Sequence, residues 1–261
     1  MLQSASRLLL AALASFVLAT PALAATPGDA QGANAALEAA YASTDRPKAD
    51  AEQDERRQSH TVLGLLNVKP GMHVIDVFSA GGYNTELLAR AVGVKGEVIA
   101  YNNPAYAKYS EKGITERYAN DRLGNVKQVT AEPTDLKLDA SSLDAALIVM
   151  SYHDAYWRPK DGSFDHTDPD VLVKKLYAAL KPGGVVVVQD HVAVAGTPPK
   201  AAAELHRIDP ATVKRDFEKA GFKFDTSSDV LKHPADDHTK VVFDPSVKGK
   251  TDQFVYRFRK P

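Results

Sequence analysis

The chain of 261 residues has no cysteine. That excludes a disulfide framework, zinc held by thiolates, a thiolate nucleophile and a lipid anchor on an N-terminal cysteine. It also lacks an excess of either charge, with 32 basic against 33 acidic side chains. The balance gives no general electrostatic reason to expect nucleic acid as a partner. The 16 glycines and 15 prolines follow no period, so the chain is neither collagen-like nor of low complexity. No internal repeat is present. Long apolar runs are missing too: Leu8–Thr20, LLLAALASFVLAT, is 13 residues, short of the ~20 that span a bilayer as a helix.

That run has a different meaning. Met1–Arg7 before it is polar with one positive charge, and Ala22-Leu23-Ala24 after it is a small-residue A-x-A site. The three parts together predict a secretory signal peptide over residues 1–24, cleaved before Ala25. A buried N-terminal helix or an uncleaved anchor is the alternative. The mature protein is then exported, to a periplasm or the medium, with no membrane span left after cleavage. Absence of cysteine is compatible with an oxidising compartment.

Residues 25–67 read as a small, polar leader followed by helices. Ala33–Ala42 carries strong helix formers, and Lys48–Leu66 reads as one helix with a charged first half and an apolar end. From Val68 to the C-terminus the pattern changes to short apolar runs alternating with amphipathic segments, without a linker, so 68–261 reads as one domain. Strands are predicted at Val74–Phe78, Glu97–Tyr101, Val126–Thr130, Ala145–Met150, Val185–Gln189, Phe222–Phe224 and Phe254–Phe258. Helices are predicted at Thr85–Val92 and Pro169–Leu180, the latter stopped by Lys181-Pro182-Gly183-Gly184. Another begins at Asp209-Pro210, an N-cap followed by a proline at the first helical position, and stops at Gly221. The alternation predicts βαβ units and a mostly parallel sheet. Ligands of such a sheet bind beyond the carboxyl ends of its strands.

The first strand ends in such a place, at Asp76-Val77-Phe78-Ser79-Ala80-Gly81-Gly82-Tyr83, where small residues let a ligand approach the backbone before a helix N-terminus. With its neighbours, GMHVIDVFSAGGYNTELLARAVGVKGEVIAYN resembles the first βαβ unit of class I S-adenosylmethionine-dependent methyltransferases. LDAALIVMSYHD, LYAALKPGGVVVVQDH, AGFKF and TDQFVYRFRK resemble that superfamily's later strands. The chain is most similar to a group of predicted methyltransferases, some with signal peptides, that carry a strand-end His-Asp dipeptide. The resemblance implies a Rossmann-like α/β fold: a mostly parallel seven-stranded sheet with an antiparallel C-terminal strand and helices on both faces.

It also implies roles for individual residues. Asp76 matches the acid that orients the loop, and Ser79, Ala80, Gly81 and Gly82 match the loop that approaches S-adenosylmethionine. Two of the superfamily's three loop glycines are replaced, by Phe78 and Ala80; Gly82 keeps its place. At the end of the second strand Asn102 stands where the superfamily usually has a carboxylate for the ribose hydroxyls. Glu132 matches the acid facing the adenine amino group, with Asp135 as its nearby alternative. Tyr152 is placed beside the cofactor.

His153-Asp154 follows the fourth strand, where the superfamily places catalytic or substrate-facing groups. His153 is the candidate general base, with a pKa expected near neutrality, and Asp154 orients it or binds substrate. Tyr152, Tyr156 and Trp157 put aromatic rings nearby, suited to a flat substrate or the sulfonium charge; the alternative is that these rings are core and His153 caps a helix. Asp190-His191 ends the adjacent fifth strand, so His191 is a third catalytic candidate. No metal is assigned, although His153 and His191 with a carboxylate compose a plausible zinc or iron set if they converge. Arg207 is expected to hold a substrate carboxylate or to pair with Asp209. The loop His233–Lys240 reads as a solvated hairpin, with a lid over the cleft as the other reading. Arg56 and Arg57 read as a solvated helix face.

The expectation from these residues is an exported methyltransferase acting on a small molecule. The alternatives are a non-catalytic small-ligand-binding protein on the same fold and a metal-dependent hydrolase built on His153 and His191. The oligomeric state is not written in the sequence.

Overall fold

The computed structural model describes residues 35–164 and 166–261. The signal peptide expected over 1–24 lies outside the described residues. The helices are α1 (35–41), α2 (Lys48–Ala51), α3 (Asp54–Arg57), α4 (Ser59–Gly64), α5 (Tyr83–Val92), α6 (Pro104–Tyr109), α7 (Glu111–Tyr118), α8 (Pro169–Ala179), α9 (Pro199–Ala203) and α10 (Pro210–Lys219). The strands are β1 (His73–Val77), β2 (Glu97–Asn102), β3 (Val126–Thr130), β4 (Leu143–Val149), β5 (Leu180–His191), β6 (Lys223–Ser228) and β7 (Gln253–Arg259).

All seven strands form one sheet, in the order β3-β2-β1-β4-β5-β7-β6. Strands β1 to β5 run parallel, and β7 is antiparallel to both β5 and β6. The order reverses beside β1, so the ends of β1, β2 and β4 open on a common crevice, the general place for a ligand in such sheets. Each face of the sheet is covered. On one, Ile75, Ile148 and Val186 pack with Leu172 and Leu176 of α8 and Phe217 of α10. On the other, Val74, Leu147 and Val187 pack with Leu37, Leu63 of α4 and Leu87 of α5. Consecutive apolar residues in a strand thus feed opposite layers, which is why the strands read as unbroken apolar runs.

The helix starts follow local chemistry. Asp168 caps α8 by accepting from the backbone N–H groups of Asp170 and Val171, and Pro169 fills the first position. Asp209 and Pro210 do the same for α10, with the Ala211 N–H as donor. Asn103 and Pro104 start α6. Two expectations are corrected. Lys48–Leu66 is not one helix: α2 ends before a turn at Glu52-Gln53, and Gln58, in a left-handed conformation (φ 48°), separates α3 from α4. Strand β5 begins at Leu180, opposite Leu143, and the Lys181–Gly184 turn bulges out before pairing resumes at Val185 opposite Ala145. Helices α6 and α7 are additional to the sequence reading. Neither has a buried residue, so neither carries the apolar stripe that marks a helix. No helix among the described residues is long and apolar enough to cross a membrane.

Candidate functional site

The loop after β1 is the first component. Phe78, Ala80 and Gly82 have φ of 53°, 48° and 82°. All three are left-handed, a conformation that favours glycine and costs other residues about 1–2 kcal/mol. The replacements at Phe78 and Ala80 therefore change side chains without changing the backbone path. Gly82 is the most constrained of the three: besides its positive φ, a Cβ there would stand 2.6 Å from the Tyr118 hydroxyl oxygen, so Tyr118 would have to shift. Phe78 is buried and stacks on Tyr106, with ring centroids 5.1 Å apart and planes 7° from parallel. Asp76 lies beneath the loop and accepts from the Thr85 hydroxyl at 2.6 Å, tying β1 to α5. Its burial pushes the carboxyl up to about 7.

Helix α7 closes over the other side of the loop. Arg117 Nε donates to the Gly81 carbonyl at 2.9 Å, and a Cβ on Gly113 would meet Gly81 Cα at 3.3 Å. Beneath it, Glu86 of α5 receives Arg90, Arg117 and Arg122. Burial alone raises this carboxyl, but the three guanidiniums outweigh it and hold Glu86 at about 2.

At the end of β2, Asn102 fastens the loop. Its Oδ1 accepts from Ala80 N at 2.9 Å, and its Nδ2 donates to Ser79 Oγ at 3.2 Å and to the Ala80 carbonyl at 3.3 Å. Beyond β3, Glu132 Oε2 is buried without a hydrogen-bond partner, and so is the Tyr101 hydroxyl. Burial raises the pKa of both groups. Unpartnered buried polar atoms of this kind cost about 1–3 kcal/mol each and mark a place where a ligand is expected to supply the partner.

The densest chemistry lies at the ends of β4 and β5. A 3₁₀ turn over His153–Ala155 follows β4. His153 Nδ1 lies 2.7 Å from Asp190 Oδ1, and its backbone N–H donates to Asp190 Oδ2. On the other side, His153 Nε2 lies 3.2 Å from His206 Nδ1 and 3.3 Å from Asp154 Oδ1. Asp154 Oδ2 accepts from the Tyr106 hydroxyl at 2.5 Å, while Oδ1 is buried without a hydrogen-bond partner. Burial alone would keep His153 neutral, but Asp190 and Asp154 overturn that and lift it to about 10. The near-neutral pKa expected for a general base at His153 is thus corrected: two carboxylates hold the ring as an imidazolium. Burial also raises Asp154, yet His153, His206 and Tyr106 pull it well below the usual carboxylate range.

His206 is the member that the sequence does not single out. It follows α9, which packs on the 3₁₀ turn, in a segment bridged to the end of β5 by the pairing Val192–Ile208. The expected His153–His191 pair forms differently. The two rings are neighbours at 6.3 Å, but His191 Nδ1 faces the Thr251 hydroxyl at 2.9 Å, and burial depresses it to about 4. Tyr152, expected beside the cofactor, is fully buried and gives its hydroxyl to Asp216 of α10. Arg207 pairs with Asp236 rather than Asp209, at 2.8 Å and with both side chains fully buried. That pair ties down the His233–Lys240 loop, which is neither a free lid nor a fully solvated hairpin. Arg57 lies over the Tyr83 ring at 4.3 Å rather than on a solvated face. A groove of about 920 Å³ lined by residues such as Ala39, Arg90 and Lys127 lies at the opposite, amino ends of β2 and β3.

Comparison with known proteins adds four findings. The sequence profile of the protein-L-isoaspartate(D-aspartate) O-methyltransferase family matches residues 38–132. A ubiquinone/menaquinone biosynthesis C-methyltransferase of Idiomarina loihiensis is 29% identical over 127 residues, 48% of this chain and 45% of the relative. The chain thus matches about half the length of that curated relative. Among solved structures, a SAM dependent methyltransferase from Aquifex aeolicus is 19% identical with a TM-score of 0.55, covering 80% of this chain and 93% of its own. The [4+2]-cyclase SpnF is 16% identical with a TM-score of 0.58, covering 90% and 94%. At these identities the structural likeness is one of fold, and the fold hosts more than one chemistry.

Proposed function

We propose that this chain, a member of the class I S-adenosylmethionine-dependent methyltransferase superfamily, binds S-adenosylmethionine beyond β1, β2 and β3 and methylates a small molecule. The observation that carries the reading is the loop, left-handed at each of the three positions where the superfamily has glycine. The unpartnered Glu132 Oε2 and Tyr101 hydroxyl fit the cofactor, since both are buried and await a partner. When bound, the cofactor supplies an electrophilic methyl group on its sulfonium sulfur. Ser79, Ala80, Gly81 and Gly82 present backbone to its amino-acid end at the start of α5, and Asp76 anchors that start from below. Glu132 accepts from the adenine amino group. Asn102 acts indirectly, by holding the loop in shape.

His153 and Asp154 lie at the acceptor end, with His191 behind them. In-line displacement needs the acceptor aligned and water kept away, and the burial of His153 and Asp154 suits both. As an imidazolium, His153 orients and donates; it does not take the acceptor's proton. The profile and the curated relative name an O- and a C-methyltransferase, so neither acceptor is carried over. Binding of a nucleoside-like ligand without turnover is the second reading, favoured by the engagement of Asn102 with the loop. We infer export as well, from the leader at 1–24; an N-terminus at Ala25 in protein taken from the cell envelope or medium is the expected result.

The test is calorimetric titration of the mature chain with S-adenosylmethionine and S-adenosylhomocysteine. Binding is expected, weakened about tenfold by Glu132→Gln, the equivalent of ~1.4 kcal/mol. No heat and no thermal shift at millimolar ligand would overturn the reading. Release of S-adenosylhomocysteine in the presence of acceptors separates turnover from binding alone.

A further inference from the structure

His153 Nε2, His206 Nδ1 and Asp154 Oδ1 form a triangle with edges of 3.2, 3.3 and 3.5 Å. A tetrahedral ion with bonds of ~2.0–2.1 Å holds its donor atoms roughly 3.3–3.4 Å apart. The three atoms therefore already stand as one face of a metal tetrahedron. A hydrogen bond between the two rings explains one edge only. It leaves Asp154 Oδ1, on a side chain 8% exposed, aimed at both imidazoles with no hydrogen bond of its own.

The surroundings are those of a metal site. His153 turns its remaining nitrogen, Nδ1, to Asp190, the carboxylate–histidine pairing that fixes a metal-binding ring and raises its basicity. Asp190 is itself held by the backbone N–H groups of His153 and His191. The other oxygen of Asp154, Oδ2, accepts from the Tyr106 hydroxyl. The His206 ring is flanked by Trp157 and Phe243, with centroids 4.8 and 4.9 Å away. Two imidazoles and one carboxylate suit zinc or ferrous iron, and three protein ligands leave a position for water or a substrate oxygen.

We propose that His153, Asp154 and His206 bind a divalent transition-metal ion of the zinc class. The site shares His153 and Asp154 with the acceptor end of the methyl-transfer reading: an ion there takes the place of the proton on His153 Nε2, so the metal-loaded ring is neutral and no longer donates.

The test uses the tag-free mature chain purified without chelator. Elemental analysis is expected to find about one transition-metal ion per chain, and calorimetry of stripped protein to detect Zn²⁺ binding. Asp190→Asn is expected to weaken Zn²⁺ by about 10- to 100-fold, and Asp154→Asn and His206→Gln by more. His233→Gln, in the loop before β7, leaves affinity unchanged. Circular dichroism reports whether each variant is folded. If His206→Gln does not fold, Co²⁺-loaded wild-type protein decides, and strong visible absorption of a four-coordinate ion is expected. Absence of metal and of Zn²⁺ heat in folded wild-type protein, a weak six-coordinate Co²⁺ spectrum, or full affinity in Asp154→Asn and His206→Gln would each overturn the proposal.

Discussion

Replacing Asp236 by alanine is expected to be among the costliest single changes in the molecule. The carboxylate meets Arg207 in two bonds, at 2.8 and 3.1 Å. It also accepts from the backbone N–H groups of His238 and Asp252. The other bonds of Arg207 go to the carbonyls of Lys240 and Val192, which carry no counter-charge. Breaking a buried pair by removing one partner costs about 3–5 kcal/mol, because the remaining ion has neither water nor counter-charge. At ~2–4 °C per kcal/mol for a chain near this size, the expected fall in Tm is roughly 6–20 °C. Urea denaturation followed by the fluorescence of Trp157 and scanning calorimetry measure it. The double variant Arg207→Met/Asp236→Leu is expected to recover much of the loss, since an apolar replacement of a buried pair is often neutral. A loss below ~1 kcal/mol for Asp236→Ala, or a double variant as unstable as the summed singles, would refute the reasoning.

Acid unfolding provides a second prediction. Glu86 is held at about 2 against an ordinary 4.5, so its ionised form stabilises the fold above pH ~4.5 by about 3 kcal/mol, and this is lost as pH falls toward 2. Glu86→Gln should flatten that limb in pH-dependent urea titrations. Asp76 has the opposite sign: with its folded pKa at about 7, ionisation at higher pH destabilises the native state. Asp76→Asn is therefore expected to be more stable than wild type at pH 8 and to lose that advantage at pH 4, as read by Tm. Gly82→Ala, with φ 82° and a Cβ 2.6 Å from the Tyr118 hydroxyl, should cost about 1–2 kcal/mol and weaken S-adenosylmethionine binding in calorimetry. Asp209→Ala removes the cap of α10 and the bond from Gly196 N. It should cost about 1 kcal/mol or more in urea midpoint.

Elements whose signals are local were legible before any coordinates. Asp168-Pro169 and Asp209-Pro210 start helices because a side-chain oxygen and a fixed φ act within one turn. The strands β1 to β5 and β7 announce themselves as largely apolar runs between turn residues, and the strand-end positions of Asp76, Asn102, Glu132, His153 and His191 follow from them; β6, expected at Phe222–Phe224, runs over Lys223–Ser228 because its polar residues pair with β7. The resemblance to the superfamily added the loop's role, but not its backbone conformation at Phe78 and Ala80.

What only the tertiary structure decided is which strand-end groups meet. His206 joins His153 in place of His191 because the segment after α9 is laid along β5 by the Val192–Ile208 bridge, a pairing with no counterpart in spacing. Arg207 takes Asp236, 29 residues away, although Asp209 is close in sequence. Tyr152 turns into the core to reach Asp216. Likewise Asp190, one of the two carboxylates that keep His153 charged, becomes its neighbour only when β4 and β5 lie side by side. Propensity, capping and alternation act over a few residues and are carried by the sequence itself. Proton affinity and donor geometry depend on ångström distances between segments far apart in the chain, and those are set by strand register and packing.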